Sequence, residues 1–266
     1  MVNETERTRE QEMTVTVERR ETGQLAITLA RPRQRNAITV AMYAALADAI
    51  EGAADDPSVR VITIEGEGED FTAGNDLYDF LKEMPPPGTT DIPVWRFLRA
   101  MTSNEVPIVA AVHGNAVGIG TTMLFHCDLV LAEEGSRFLM PFVDLGLVPE
   151  AASSLLLPRL AGRRRAARYL LLGEPFGAED AADFGLVSHV VAKGGIAAAL
   201  STIVAALLAK PPEALRLTQA LLRREDRGEL LDRIELENGH FGERLASDEV
   251  KQAIASFFAA KARASA

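Results

Sequence analysis

His113-Gly114-Asn115-Ala116-Val117-Gly118-Ile119-Gly120-Thr121-Thr122 follows the β-branched run Ile108–Val112 and leads into an apolar helical pattern, Ile119–Phe125. A strand that passes through glycines straight into a helix is the joint from which α/β domains are built. The first N–H groups of such a helix lack internal partners, and its dipole places partial positive charge there. An oxyanion held over the Ile119 N–H would gain from both effects. Close packing of helix against strand calls for glycine just as strongly, so this Gly-x-Gly is a weak signal by itself.

The rest of the first half repeats the alternation. The pattern predicts strands at 14–17, 25–29, 61–65, 108–112, 129–132 and 187–191, and helices at 39–53, 95–102, 119–125 and 163–172. Thr39 is placed to cap the first helix. From Ile196 the texture becomes helical, with segments at 196–208, 212–224, 230–245 and 248–262. Pro211-Pro212 marks one helix start, and Ser247 before Asp248-Glu249 is a plausible N-cap for the last. The expected division is a tail (1–12), a core (13–195) and a C-terminal helical region (196–266). This last region packs on the core or on a neighbouring subunit. Residues 83–93, with Pro85-Pro86-Pro87-Gly88, read as a mobile loop near the site.

Composition narrows the classes of function. The 266-residue chain is 47% apolar, which is a globular balance, and it carries a net charge of −10, which argues against nucleic acid as the main partner. Cys127 is the only cysteine, so no intramolecular disulfide can form. His113, His126, His189 and His240 lack metal-ligand spacing, and no metal is expected. The charged first dozen residues carry no apolar leader core, and the apolar stretch 196–209 is too short to cross a bilayer. A buried helix explains that stretch better, and a cytoplasmic protein is expected.

Two further segments point to chemistry. Phe71-Thr72-Ala73-Gly74-Asn75-Asp76 holds a second glycine turn, in which Gly74 permits close ligand approach and leaves the Asn75 N–H free to face a cavity. An ordinary tight turn would use the same residues. Farther on, Glu150 follows Pro141-Phe142-Val143-Asp144-Leu145-Gly146-Leu147-Val148-Pro149. Two backbone donors for a developing oxyanion and one carboxylate to move a proton are the parts that enolate chemistry on a thioester requires. Glu150 could equally decorate a helix N-terminus, where acids are favoured. Asp144 and Asp76 read as structural acids, and Ser153 and Ser154 either orient Glu150 or cap a helix.

These segments resemble, in order and over about residues 13–262, the crotonase family, the enoyl-CoA hydratase/isomerase superfamily. Arg31-Pro32-Arg33-Gln34-Arg35-Asn36-Ala37-Ile38-Thr39 is similar to its N-terminal CoA-contact segment. Pro175–Ala181 and Phe184-Gly185-Leu186-Val187 are similar to its later signatures. The resemblance implies a ClpP-like β-β-α superhelix core with a C-terminal helical trimerisation region, hence a homotrimer or a hexamer formed as a dimer of trimers. It implies an acyl-CoA thioester substrate, with CoA part of that substrate and no separate cofactor, and neither nucleic acid nor membrane as partner. The N–H groups of Asn75 and Ile119 would bind the thioester oxygen; the family usually has glycine where Ile119 stands, so the side chain narrows the pocket. Ala37 and Ala73 would meet the CoA adenine through backbone groups, beside Gly74. Arg33 or Arg35, and Lys261 or Arg263 of the last helix, would face its phosphates.

The departures bear on the reaction. Hydratases of this family use two glutamates to activate water, and those positions carry Thr122 and Phe142 here. Glu150 resembles the catalytic glutamate of the Δ3,Δ2-enoyl-CoA isomerases, in the similar context Pro149-Glu150-Ala151-Ala152-Ser153-Ser154. The resemblance therefore implies isomerisation by one carboxylate. Enoyl-CoA hydration and catalytically silent acyl-CoA binding are the alternatives.

Overall fold

The computed structural model describes residues 14–83, 92–223 and 227–264. The polar tail and the Pro85–Gly88 stretch expected to form a mobile loop lie outside these residues.

A six-stranded sheet organises the chain in the order β1-β2-β3-β4-β6-β9. Its strands are β1 (Val15–Arg19), β2 (Gln24–Leu29), β3 (Val61–Gly66), β4 (Ile108–Val112), β6 (Leu129–Glu133) and β9 (His189–Val191). β1 pairs antiparallel with β2 as a hairpin, and the other neighbours are parallel. Parallel strands need crossovers, and the helices α1 (Val40–Ala54), α2 (Leu77–Glu83), α3 (Pro93–Ser103) and α4 (Ile119–Thr122) occupy them. Thr39 caps α1 as expected, its hydroxyl accepting from the Met42 N–H at 3.2 Å. α4 is shorter than expected and tightens into a 3-10 turn over Met123–His126.

A second sheet, β5-β7-β8, is built from Asn115–Val117, Arg137–Leu139 and Phe176–Gly177. Each strand has only two or three residues, too short for alternation to announce it in the sequence. Asn115–Val117 lies inside the segment read as a glycine turn, so that turn is also a strand. The helices α5 (Ser153–Ala161), α6 (Arg163–Leu171) and α7 (Ala178–Asp183) follow. Of these, α5 and α7 were not expected.

Both faces of the main sheet are buried, as the unbroken apolar run of β4 requires. Ile62, Ile64, Ile108, Ala110, Val112, Val130 and Ala132 face the main core with α1 and α3. Val61, Val109, Ala111 and Leu131 point to the other side, where Leu200 and Val204 of α8 (Ile196–Leu208) meet them. α8 is thus half-buried along one face, against the sheet. No single described helix is long and apolar enough to cross a membrane.

The remaining helices are α9 (Pro212–Arg223), α10 (Arg227–Leu245) and α11 (Asp248–Ala264). α10 packs on α3, burying Ile234, Glu237, Asn238 and Phe241. α11 starts as expected, with the Ser247 hydroxyl accepting from the Val250 N–H at 3.3 Å. It folds back on its own core, where Val250 and Ile254 are buried and the Phe258 ring lies tilted against Tyr78 at 4.7 Å between centroids. Apolar surface expected to serve subunit contacts is therefore spent in part within the chain.

Candidate active site

The two glycine turns are stitched side by side. Thr72 N–H donates to Asn115 O and Val117 N–H to Thr72 O, each at 3.0 Å, and a parallel bridge joins Thr72 to Ala116. Gly74 has φ +86°, and a Cβ there would stand 2.6 Å from Val117 O. Only glycine allows that approach without displacing backbone. Ile38 pairs with the residues flanking Asn75: its N–H donates to Gly74 O at 2.8 Å and its carbonyl accepts from Asp76 N–H at 2.9 Å. The Asn75 N–H is thereby turned away from Ile38.

On the second turn, Gly118 N–H donates to Leu139 O at 2.8 Å, while Thr121 and Thr122 N–H both donate to Gly118 O. α4 thus begins at Ile119 with its first donor unsatisfied. Among the described residues, no hydrogen bond uses the N–H of Asn75 or of Ile119. Two free donors on adjoined turns are what an oxyanion site requires, provided a ligand supplies the acceptor. The Ile119 side chain is fully buried in the main core.

Tyr43, which drew no attention in the sequence, links these turns to the acid. It is fully buried on α1 and its hydroxyl donates to Asn75 Oδ1. Burial holds the phenol well above its ordinary pKa, and the charge of Glu150 pushes it further up. Tyr43 therefore stands within electrostatic reach of the carboxylate while it anchors an oxyanion-turn residue.

Glu150 itself is 4% exposed, and its Oε1 has no hydrogen-bond partner. A carboxylate shut away from water disfavours its charge. Burial, followed by repulsion from Glu237, pushes the Glu150 carboxyl up to about 8. Such a group is poised to take and return a proton near neutral pH. Phe142 and Thr122 are also buried, and Thr122 Oγ1 has no partner either. Asp144 is exposed, packed against Gly173, and does not join the site.

The backbone after Glu150 is unusual. Ala151 and Ala152 are fully buried with φ of +59° and +55°. Left-handed geometry at a residue bearing a Cβ costs about 1–2 kcal/mol each, so other contacts must hold it. His126 Nε2 bonds the Ala151 carbonyl at 2.8 Å. A carbonyl only accepts, which makes Nε2 the protonated nitrogen, and burial lowers the His126 pKa to about 4. Glu237 reaches over from α10: Oε2 accepts from Ala152 N–H at 2.7 Å, and Oε1 from Ser154 N–H at 3.0 Å and from the Ser154 hydroxyl. Ser153 Oγ donates to the Glu150 carbonyl at 2.6 Å. Neither serine hydroxyl bonds the Glu150 carboxylate, and neither caps the helix: Ser153 holds the Glu150 carbonyl and Ser154 donates to Glu237. Asp76 is structural too, paired with Arg31 at 3.0 Å.

The segment expected to contact CoA borders a groove of about 960 Å³, lined in part by Arg31, Arg33, Gln34, Thr39, Tyr78 and Lys82. Glu150 does not line it. Arg33 is exposed with no ion pair among the described residues. Arg35 is also exposed, lies outside that lining, and approaches Asp70 at 3.7 Å. Ala37 has both backbone groups engaged, its N–H donating to Gln34 O at 3.1 Å and its carbonyl accepting from Arg31 at 2.6 Å. Ala73 N–H donates to Arg35 O at 2.8 Å. Lys261 falls on α11, and its side chain lies outside the described residues.

Known proteins resemble this chain in sequence and fold. The family profile described as enoyl-CoA hydratase/isomerase matches residues 19–263. The 1,2-epoxyphenylacetyl-CoA isomerase of Escherichia coli is 31% identical over 90% of this chain and 93% of its own length. Human enoyl-CoA delta isomerase 2 is 30% identical over 91% of this chain and 63% of that protein. Among solved structures, Pseudomonas aeruginosa OdaA is 41% identical with a TM-score of 0.88, covering 92% of this chain and 98% of that one. An enoyl-CoA hydratase/isomerase from Pseudoalteromonas atlantica gives 39% and 0.87, over 92% and 96%. This chain belongs to the enoyl-CoA hydratase/isomerase family and has the crotonase fold.

Proposed function

We propose that the protein is an enoyl-CoA isomerase that moves the double bond of a 3-enoyl-CoA thioester to the 2-position. The observation that carries this reading is Glu150: a buried carboxyl with one oxygen unpartnered and a pKa pushed up to about 8. Glu150 takes a proton from C2 of the bound thioester. The electrons pass into a dienolate whose charge rests on the thioester oxygen, held by the N–H groups of Asn75 and Ile119. Glu150 then returns the proton at C4, and no water enters the balance. Phe142 and Thr122 stand where the resemblance puts the water-activating glutamates of hydratases, and neither is a useful base.

CoA lies along the Arg31–Thr39 segment, with Arg33 the favoured phosphate contact because it is exposed and has no ion pair among the described residues. Assembly as a trimer or a dimer of trimers accompanies this reading. Exposed Leu217, Leu221 and Leu222 on α9 supply apolar surface for subunit contacts, and sedimentation tests the mass.

A panel of 2- and 3-enoyl-CoA thioesters, run on the wild type and Glu150→Gln, tests the reaction. Conjugated absorbance should appear from 3-enoyl substrates, and the variant should lose about a hundredfold to ten-thousandfold in turnover while keeping thioester affinity. Loss of absorbance from 2-enoyl substrates as the faster reaction would instead make it a hydratase. Binding without turnover of either class would make it a silent acyl-CoA-binding protein.

A further inference from the structure

We propose that Glu237 is a positioning residue for Glu150, holding the left-handed turn at Ala151-Ala152 from a helix 85 residues away in sequence. The proposal rests on the reading of Glu150 as the proton-transferring group.

Glu150 sits directly before two buried alanines in left-handed conformation, and its side-chain direction depends on that backbone. The turn also opens α5, whose first N–H groups need acceptors. Its own N-cap residue is Ala152, whose methyl side chain cannot accept a hydrogen bond. Glu237 supplies the missing cap through space, one oxygen on Ala152 N–H and the other on Ser154 N–H and Oγ. Three donors on one carboxylate fit the ionised form, which only accepts. Burial pushes the Glu237 carboxyl's pKa up, and its hydrogen bonds to Ser154 and Ala152 and the charge of Arg233, which donates to the same Ser154 hydroxyl at 3.3 Å, oppose that rise.

The groups around this pair are few. Glu237 faces Glu150 across the turn, Tyr43 faces Glu150 from α1, and His126 holds the Ala151 carbonyl from the 3-10 turn after α4. Glu237 thus has two separable effects on Glu150. Its hydrogen bonds fix where the carboxylate points, and its negative charge disfavours ionisation of that carboxylate, raising its basicity.

Two substitutions separate these effects. Glu237→Gln keeps the size, removes the charge, and cannot accept at both ends. Glu237→Asp keeps the charge but is one methylene too short to span both sites. Both should lower kcat about ten- to a hundredfold at nearly unchanged KM, because small misplacements of a reacting group cost that much. Only Glu237→Gln should move the rising limb of the pH–kcat profile to lower pH. Adding Ala152→Gly, which adopts the left-handed conformation freely, should restore part of kcat in either variant. It should restore none in Glu150→Gln.

Wild-type kcat and an unmoved limb in Glu237→Gln would overturn the proposal, as would equal losses in kcat and KM with no rescue by glycine. Should Glu237→Gln fail to fold, wild-type kcat in Glu237→Asp overturns it equally. The proton-transfer reading fails separately, if Glu150→Gln retains full turnover.

Discussion

Two turns with left-handed backbone border the candidate site, and they are made of opposite materials. The side proposed to hold the oxyanion uses glycine: Gly74 at φ +86° and Gly118 at φ +56°. The acid side uses alanine: Ala151 at +59° and Ala152 at +55°. Glycine adopts such angles at no steric cost, so the first turn is specified locally. Alanine does not, so the second exists only because His126 and Glu237 hold it. One half of the site is written where it stands, and the other is imposed from the 3-10 turn and from α10.

The comparison breaks most visibly at Gly74. A Cβ there meets Val117 O at 2.6 Å, so Gly74→Ala must part the two turns. The Asn75 N–H then leaves its place beside that of Ile119. Turnover should fall about 10²–10³-fold, the usual loss for one oxyanion donor, in a protein that still binds the thioester. Near wild-type rates in a steady-state assay would mean the turns need not touch.

A middle-sized effect concerns stability. The Glu150 carboxyl is raised from about 4.5 in the unfolded chain to about 8 in the fold. The folded state keeps a proton that the unfolded chain has lost, so this contribution is complete below about pH 4.5 and is lost as pH rises through about 8. Glu150→Gln removes the titration. In thermal melts the variant should gain a few degrees over wild type at pH 9, and the gap should close toward pH 5. A constant gap across that range would contradict burial as the cause of the shift.

The smallest effect belongs to Ala152→Gly in the otherwise native chain. Relief of about 1–2 kcal/mol of left-handed strain is offset by roughly 0.4–1 kcal/mol of added freedom in the unfolded chain. The melting temperature should therefore move by only a degree or two, with kcat unchanged while Glu237 is in place. A large drop in kcat would show that the Cβ, and not the hydrogen bonds, holds the turn.

The same contrast explains what could be read from the sequence. Glycine turns, the strands around β4 and the capped α1 announce themselves, because residue type and conformation are tied over a few positions. Asn75 and Ile119 stand out that way and Glu150 by its sequence context, with the family resemblance implying the roles proposed for them. Tyr43 was missed because a tyrosine on the buried face of a helix looks like core until its hydroxyl partner is known. Glu237 was missed because it sits among polar residues of α10, and only packing on α5 turns it inward. β5, β7 and β8 are too short for periodicity, whereas the apolar stretch at α8 reads as a buried helix and packs on the sheet through Leu200 and Val204.

In the proposed reaction one buried carboxylate moves one proton, and an isotopic label follows that transfer. A 3-enoyl-CoA carrying deuterium at C2 is converted in ordinary water, and the product is analysed for deuterium at C4. Glu150, closed from solvent, should hand a measurable share of the label from C2 to C4. Complete loss of deuterium to water, with C4 holding only solvent protons in single-turnover runs as well, would contradict the account.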